Sequence, residues 1–142
     1  MTLTQDRRTA LLAACRLFGG VSGDDLAAIA ERAVEVEFPP DHVIARKGEI
    51  GTGFYVVVDG AVRVIRDGTE LARLGPGEFF GELSVLDGQP RNAQVVADGT
   101  VRCLALATWD FEQVLLAQPT LALSILRGLA GRLRTVTEQQ TH

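Results

Sequence analysis

Residues 54–77 read FYVVVDGAVRVIRDGTELARLGPG, which is three short β-rich runs separated by turn residues. The runs are residues 54–58, 61–66 and 70–74, and the turn residues are Asp59-Gly60, Asp67-Gly68 and Gly75-Pro76-Gly77. Glycine after aspartate supplies the backbone freedom that a tight reversal needs. This segment therefore predicts consecutive antiparallel strands, with a reversal at each turn.

Strand-like runs continue on both sides of this segment. Before it, valine and phenylalanine alternate with glutamate over Val34–Phe38, and Val43-Ile44 follows the prolines. After it come residues 93–97 and 101–106, separated by a further expected turn at Asp98-Gly99. Many short strands at this spacing are typical of a mainly β fold, an antiparallel jelly-roll β-barrel, here over residues 34–107.

Helical periodicity flanks the strands at both ends of the chain. Two N-terminal helices are predicted over residues 6–34, the first from Asp6 to Phe18 and the second starting at Ser22. Two C-terminal helices are predicted over residues 108–137, with Thr108 as a cap and a break near Gln118-Pro119. Trp109, Phe79 and Phe80 are expected in the core. Residues 1–142 then form a single domain.

Composition excludes several classes of function. The chain has 142 residues with 14 basic and 18 acidic side chains and a net charge of −4, so its overall field repels nucleic acid and anionic membranes. Any anion must be held by a local site. The two cysteines form no CxxC pair and no secretory signal is visible, which predicts reduced thiols and a cytoplasmic location. The apolar runs are too short for a membrane segment.

The strand pattern is interrupted at residues 77–93, GEFFGELSVLDGQPRNA. A short helix at Glu82 to Leu86, starting at Gly81, would direct N–H groups toward an anion, and Gly81 would let a ligand approach the backbone. Arg91 can hold two phosphate oxygens through parallel hydrogen bonds. Glu82 repels phosphate, so it would accept from a neutral hydroxyl such as a ribose 2′-OH. These residues favour a small nucleotide monophosphate, and the alternative is a surface ion pair between Glu82 and Arg91.

At these residues the sequence resembles the cyclic-nucleotide-binding domain family. That family includes the catabolite activator protein, the regulatory subunits of cyclic-AMP-dependent kinase and the cyclic-nucleotide-gated channels. The resemblance covers nearly the whole chain. Its motifs are Gly48-Glu49-x-Gly51-x-x-Phe54-Tyr55-Val56-Val57-x-x-Gly60, Phe80-Gly81-Glu82-Leu83-Ser84-Val85 and Arg91-x-Ala93.

The resemblance implies a role for each matching residue. Glu82 would hold the ribose 2′-OH and Arg91 the cyclic phosphate. The backbone N–H groups of Leu83, Ser84 and Ala93 would bind the other phosphate oxygens. The apolar walls of the ribose and base would be Val64, Leu71, Ala72 and Phe80.

Two positions bear on the choice of purine. Asn92 stands where the family usually has Ser, Thr or Ala, with Thr associated with cyclic GMP. In the last helix, Arg132 and Val136 match positions that cap the base in channel-type and activator-type relatives. The resemblance implies cyclic AMP as the ligand, with cyclic GMP as the alternative.

The predicted function is a sensor that signals through its C-terminal helices to an unidentified effector, and not an enzyme. His42 and His142 are too few for a metal site, and the common hydrolase and P-loop motifs are absent from the sequence. No metal, cofactor or DNA-binding element is expected. Two alternatives stay open: a ligand-independent interaction or dimerisation module, and the effector domain of a larger transcription regulator. The apolar stripe from Leu121 to Val136 could pack as a lid or form a homodimer seam.

Overall fold

Two short helices precede the sheet in the computed structural model, which describes residues 3–14, 18, 20–49, 53–81, 88 and 90–140, without the side chains of 132, 136 and 138–140. Helix α1 is Gln5–Ala13 and helix α2 is Gly23–Arg32. The Ser22 side chain accepts a hydrogen bond from the Asp25 backbone N–H, 3.2 Å away, which confirms the predicted start of α2.

The first helix is shorter than the sequence predicted. It ends at Ala13 and not at Phe18. Phe18 is buried, with its ring centroid 5.8 Å from that of Phe54 and 6.4 Å from that of Phe111. Phe18 is apolar because it packs in the core. Its position at helical spacing therefore did not indicate a further turn of α1.

In the part of the chain that the structure describes, six strands form one sheet. They are β1 Val34–Phe38, β2 Val43–Ala45, β3 Gly53–Arg66, β4 Thr69–Leu74, β5 Phe79–Phe80 and β6 Gln94–Ala107. The order is β1-β6-β3-β4, while β2 also pairs with β6 and β5 with β3. All these pairs are antiparallel, which confirms the expected class. The predicted short helix after Gly81 lies outside the described residues.

The predicted reversals at Asp59-Gly60 and Asp98-Gly99 are wrong. Strands β3 and β6 each run unbroken for 14 residues through these positions and pair with each other along their length. Their register shifts instead: only Gly60 lies between the paired residues Asp59 and Ala61, opposite residues 99–101 of β6. Gly60 and Gly99 have φ values of +88° and +76°, so the glycines permit a bulge that bends the strands without reversing them.

We expect Gly60→Ala to lower the free energy of unfolding more than Gly68→Ala does. Both glycines have positive φ, +88° and +80°, so either alanine introduces a similar backbone strain. A Cβ on residue 60 would lie 2.5 Å from the Thr100 carbonyl oxygen, whereas a Cβ on residue 68 meets nothing within 4 Å. The extra loss should be about 1–3 kcal/mol by equilibrium urea unfolding. Equal losses would contradict the close approach at the bulge.

Two apolar clusters lie on the two sides of the sheet. The first joins the helices to the sheet and contains Phe18, Phe54 and Phe111. The second lies on the opposite face of the sheet, contains Val62 and Phe80 together with Cys103, and has Val64 packed against it. The expected burial of Phe80 is confirmed, and it places this residue beside the predicted ligand segment.

Helix α3, Thr108–Ala117, follows β6 directly and is followed by helix α4, Pro119–Gln140. Thr108 was predicted to cap α3, but Ala107 occupies the cap position and no side-chain hydrogen bond is made there. Because β6 continues to Ala107 and the helix starts at the next residue, the cap position is occupied by alanine, whose side chain has no hydrogen-bond acceptor. The predicted break at Gln118-Pro119 is confirmed.

The expectation that Trp109 is a core residue is also wrong. Its side chain is 68% exposed, whereas Phe111 on the same helix is completely buried. Phe111 and Val114, three residues apart, form the buried face of α3, and Trp109 points away from it.

Among the described helices, none is by itself long and apolar enough to cross a bilayer. Helices α3 and α4 pass that test only together, as a pair bent by 110°.

Side chains also connect α2 to both C-terminal helices. Arg32 Nη1 lies 3.2 Å from Asp110 Oδ1 of α3. The Thr120 hydroxyl of α4 donates to Asp25 Oδ2 over 3.2 Å. Both contacts are exposed, so each adds little stability, and they show that the N-terminal ends of α3 and α4 lie beside α2.

Candidate ligand-binding site

The backbone of Arg91 is paired with the segment that precedes β3. The Gly48 N–H donates to the Arg91 carbonyl over 2.8 Å, and the Arg91 N–H donates to the Glu49 carbonyl over the same distance. Two consecutive residues, Gly48 with φ of +87° and Glu49, thus face the single residue Arg91, which is the pattern of a β-bulge. Arg91 is therefore held at its main chain by a segment far from it in the sequence.

The guanidinium of Arg91 lies across the start of β3. Its Nη2 donates to the Gly53 carbonyl over 2.8 Å. Its Nη1 lies 2.7 Å from the point where a Cβ on Gly81 would be. Gly81 has φ of +91°, a conformation that glycine adopts without a steric penalty. The structure thus brings Gly81 and Arg91 together, and Gly53 lies beside both.

A guanidinium held in this way suits an anion. Arginine keeps its charge at all physiological pH values, and its planar group offers several donors to phosphate oxygens. Arg91 is half-buried, so the charge is less screened than that of an exposed side chain. Ala93, whose N–H was predicted to bind phosphate, is buried two residues further on, and Asn92 between them is exposed.

The predicted apolar walls lie on three strands. Phe80 stacks on Tyr55, its partner across the β5–β3 pair, with ring centroids 5.1 Å apart. Val64 pairs with Ala72 across β3 and β4, so the two share a face. Leu71 lies at the register shift beside them and is exposed. Their contact with a ligand stays a prediction.

Several predicted site residues fall outside the described part of the chain. These are Glu82, Leu83 and Ser84, with the rest of the expected helix from Glu82 to Leu86. Of Arg132 and Val136, the structure describes the backbone in α4 but not the side chains. The ribose contact and the base cap therefore stay predictions from the sequence.

Sequence reasoning missed the carbonyl groups that hold Arg91. The acceptors belong to Glu49 and Gly53, and every residue type carries such a carbonyl. The available signal was the series of glycines at positions 48, 51 and 53, which marks a backbone approached closely by another segment. A Cβ on Gly53 would lie 2.8 Å from the Leu106 carbonyl oxygen, so this position needs glycine for its own packing.

The buried Cys103 belongs to the same apolar cluster as Phe80. Burial raises the pKa of the Cys103 thiol to about 12, so the thiol is protonated and unreactive at neutral pH. Among the residues that the structure describes, no group of three or more His, Cys, Asp or Glu side chains is placed to hold a metal ion.

A family comparison agrees with this geometry. The sequence model of the cyclic nucleotide-binding domain matches residues 35–118, from β1 to the residue after α3. The chain belongs to this family. The resemblance stated from the motifs is therefore confirmed, and the protein contains a cyclic nucleotide-binding domain.

Curated relatives of the domain are regulators and a channel. A CRP-like cAMP-activated global transcriptional regulator of Mycobacterium tuberculosis is 33% identical over 129 residues, which cover 87% of this chain and 58% of the relative. A cyclic nucleotide-gated potassium channel of Mesorhizobium japonicum is 36% identical over 116 residues, 82% of this chain and 32% of the channel. The chain thus spans little more than half of the first relative and a third of the second.

A solved structure matches along almost its full length. It is the N-terminal domain of a transcriptional regulator from Streptomyces coelicolor A3(2), with a TM-score of 0.84 and 32% identity. The match covers 93% of this chain and 96% of that domain. The jelly-roll fold with helices at both ends is thereby confirmed.

Proposed function

We propose that this domain binds one cyclic nucleotide, cyclic AMP in preference to cyclic GMP, and transmits its occupancy through α3 and α4. The observation that carries the proposal is the guanidinium of Arg91, held by the Gly53 carbonyl and lying against Gly81. The net charge of −4 makes a local cation necessary for any phosphate ligand. The tuberculosis relative is named for activation by cAMP, which favours that ligand here.

Titration calorimetry with cyclic AMP and cyclic GMP tests the ligand. Cyclic AMP should bind more tightly than cyclic GMP. As a matched control, 5′-AMP has the same base and ribose but an open phosphate, and it should bind weakly. Asn92 is exposed next to Arg91. Because Thr at this position is associated with cyclic GMP in the family, Asn92→Thr should raise the affinity for cyclic GMP relative to that for cyclic AMP. Absence of binding by both cyclic nucleotides would overturn the proposal.

The ribose contact has its own test. We expect Glu82→Gln to weaken cyclic AMP binding by about tenfold or more, because a charged acceptor of the 2′-OH is replaced by a neutral one. The affinity for 2′-deoxy cyclic AMP should change little, since that analogue lacks the hydroxyl. Circular dichroism should show an unchanged fold. Equal losses for both ligands would place the sugar contact at another residue.

The proposed output passes through the C-terminal helices. Phe111 joins α3 to the core, and Asp110 and Thr120 join α3 and α4 to α2. In this proposal α4 closes over the base, with Arg132 and Val136 as the cap. Nucleotide must bind the closed arrangement more tightly than the open one, because otherwise it shifts no population. The effector, a role without catalysis and a cytoplasmic location are predictions from the sequence.

A second candidate function is a ligand-independent interaction or dimerisation module. It is favoured by Leu126 and Leu133 of α4, which are 62% and 68% exposed although they belong to the predicted apolar stripe. Leu121 and Ile125 of the same stripe are buried in the core, so lid packing and a homodimer seam share this helix. Light scattering with and without cyclic AMP separates them. A dimer that is equally stable in both conditions favours the module.

The structural match to an N-terminal domain also supports the notion of an effector domain within a larger transcription regulator. That architecture is a proposal for this chain. It is compatible with nucleotide binding, because the tuberculosis relative is itself described as a cAMP-activated transcriptional regulator.

A further inference from the structure

The space beside Gly81 is filled by Arg91. A Cβ built on Gly81 would meet three groups: Arg91 Nη1 at 2.7 Å, the Gly53 carbonyl oxygen at 2.9 Å and the Phe54 Cα at 3.3 Å. The first two distances are shorter than normal contacts of a Cβ atom. A side chain at position 81 and the guanidinium in its present place therefore exclude each other.

Two of these three neighbours have little room to move. Phe54 is buried and its ring packs against Phe18 and Phe111. Gly53 is paired with Ala107 in the β3–β6 ladder, and a Cβ built on Gly53 would lie 2.8 Å from the Leu106 carbonyl oxygen, so its backbone is closely packed. Of these three neighbours, the guanidinium is at the end of a flexible side chain and would give way, whereas the close contact with the Gly53 carbonyl oxygen would remain and strain the backbone.

We propose that Gly81 is a positioning residue for the ligand, acting through Arg91. The missing side chain leaves the place in which the guanidinium lies, and the Gly53 carbonyl orients it there through the 2.8 Å hydrogen bond from Nη2. This role differs from letting a ligand approach the backbone, because the atom that fills the space belongs to the protein. The inference rests on the proposed function, in which Arg91 holds the cyclic phosphate.

A matched pair of glycine variants tests the role. Gly77 has φ of +87°, close to the +91° of Gly81, but a Cβ on Gly77 meets nothing within 4 Å. Gly77→Ala therefore introduces the same kind of backbone strain without contacting Arg91. We expect Gly81→Ala to weaken cyclic AMP binding by about tenfold or more, and Gly77→Ala by less than about twofold. Equal losses of affinity in the two variants would overturn the proposal.

A second measurement needs no ligand. Thermal unfolding of the apo protein is compared for Gly81→Ala, Arg91→Ala and the double variant. If the guanidinium fills the space beside Gly81, the loss of stability from Gly81→Ala is smaller when Arg91 is already alanine. Gly77→Ala should cause the same loss in both backgrounds. Additive losses for Gly81 and Arg91 would overturn the proposal.

The two measurements separate this inference from the proposed function. A wild-type protein that binds no cyclic nucleotide, together with non-additive stability, contradicts the function and supports the position of Arg91. Normal nucleotide binding together with additive losses of stability supports the proposed function and contradicts the positioning role of Gly81. Arg91→Lys in the binding series adds a further check: a single ammonium contacts position 81 less, so Gly81→Ala should reduce affinity less in that background.

Discussion

Arg91→Ala should weaken the binding of cyclic AMP by roughly 10- to 100-fold or more. A hydrogen bond to a charged group contributes about 1.5–3 kcal/mol, and each 1.4 kcal/mol corresponds to about tenfold in affinity. The loss includes the attraction between the guanidinium and the cyclic phosphate. The overall electrostatic field of a chain with a net charge of −4 repels phosphate and does not compensate for this loss. Isothermal calorimetry at constant ionic strength measures it.

Arg7→Ala is the control for this variant. It removes the same charge from an exposed position on α1, where the backbone N–H of Arg7, and not its side chain, bonds to Thr4. Its affinity for cyclic AMP should equal that of the wild type. An unchanged affinity of Arg91→Ala, with Arg7→Ala also unchanged, would show that the phosphate is held elsewhere.

Phe111→Ala should lower the free energy of unfolding by about 3–5 kcal/mol, the usual cost of removing a buried phenyl ring. The Phe111 side chain is completely buried, and its ring centroid lies 5.3 Å from that of Phe54 and 6.4 Å from that of Phe18. These three rings connect α3 to the sheet, so the variant leaves a cavity at that junction. Equilibrium denaturation in urea gives the value.

Trp109→Ala provides the comparison on the same helix. Trp109 is larger than Phe111, but its side chain is exposed. Its replacement by alanine is therefore a surface substitution, which should change the free energy of unfolding by about 0.5 kcal/mol or less. The order of the two losses is thus the reverse of the order of side-chain size. A larger loss for Trp109 would contradict the orientation of α3.

Local patterns in the sequence predicted much of the fold. Ser22 caps α2 because its hydroxyl is three residues from a helical N–H, which is a local geometry. The hairpin at Asp67-Gly68 is correct because both residues adopt positive φ, 52° and 80°, between Arg66 and Thr69, which are paired. Each of these features depends on neighbours within a few residues.

The errors concern features that depend on distant parts of the chain. Asp59-Gly60 has the composition of a turn, but its conformation is a bulge because β6 continues alongside it. Trp109 has the large aromatic side chain of a typical core residue, but the face of α3 that packs against the rings of Phe18 and Phe54 carries Phe111. Composition alone contains no information about which partner strand or helix face is available.

The candidate site follows the same division. Gly81 was identified from its missing side chain, Arg91 from its guanidinium and both from their motifs, and the structure brings the two residues together. The carbonyls of Glu49 and Gly53 were not identified, because acceptors on the backbone are specified by the path of the chain and not by residue type. The predicted ribose acceptor, Glu82, lies outside the described residues, and the side chains of the predicted base cap, Arg132 and Val136, are not described.

The long β3–β6 ladder and the candidate site both join parts of the chain that are synthesised at different times. The ladder pairs Gly53 with Ala107 and Ile65 with Gln94, so its partners are remote in sequence, and contacts of this kind slow folding. Arg91 contacts Gly48, Glu49 and Gly53 and precedes β6 in the chain. A nascent chain that has emerged only as far as the β3–β4 hairpin lacks Arg91, and so lacks the guanidinium that we propose holds the nucleotide. The proposed phosphate contact therefore requires synthesis of the chain at least as far as residue 91.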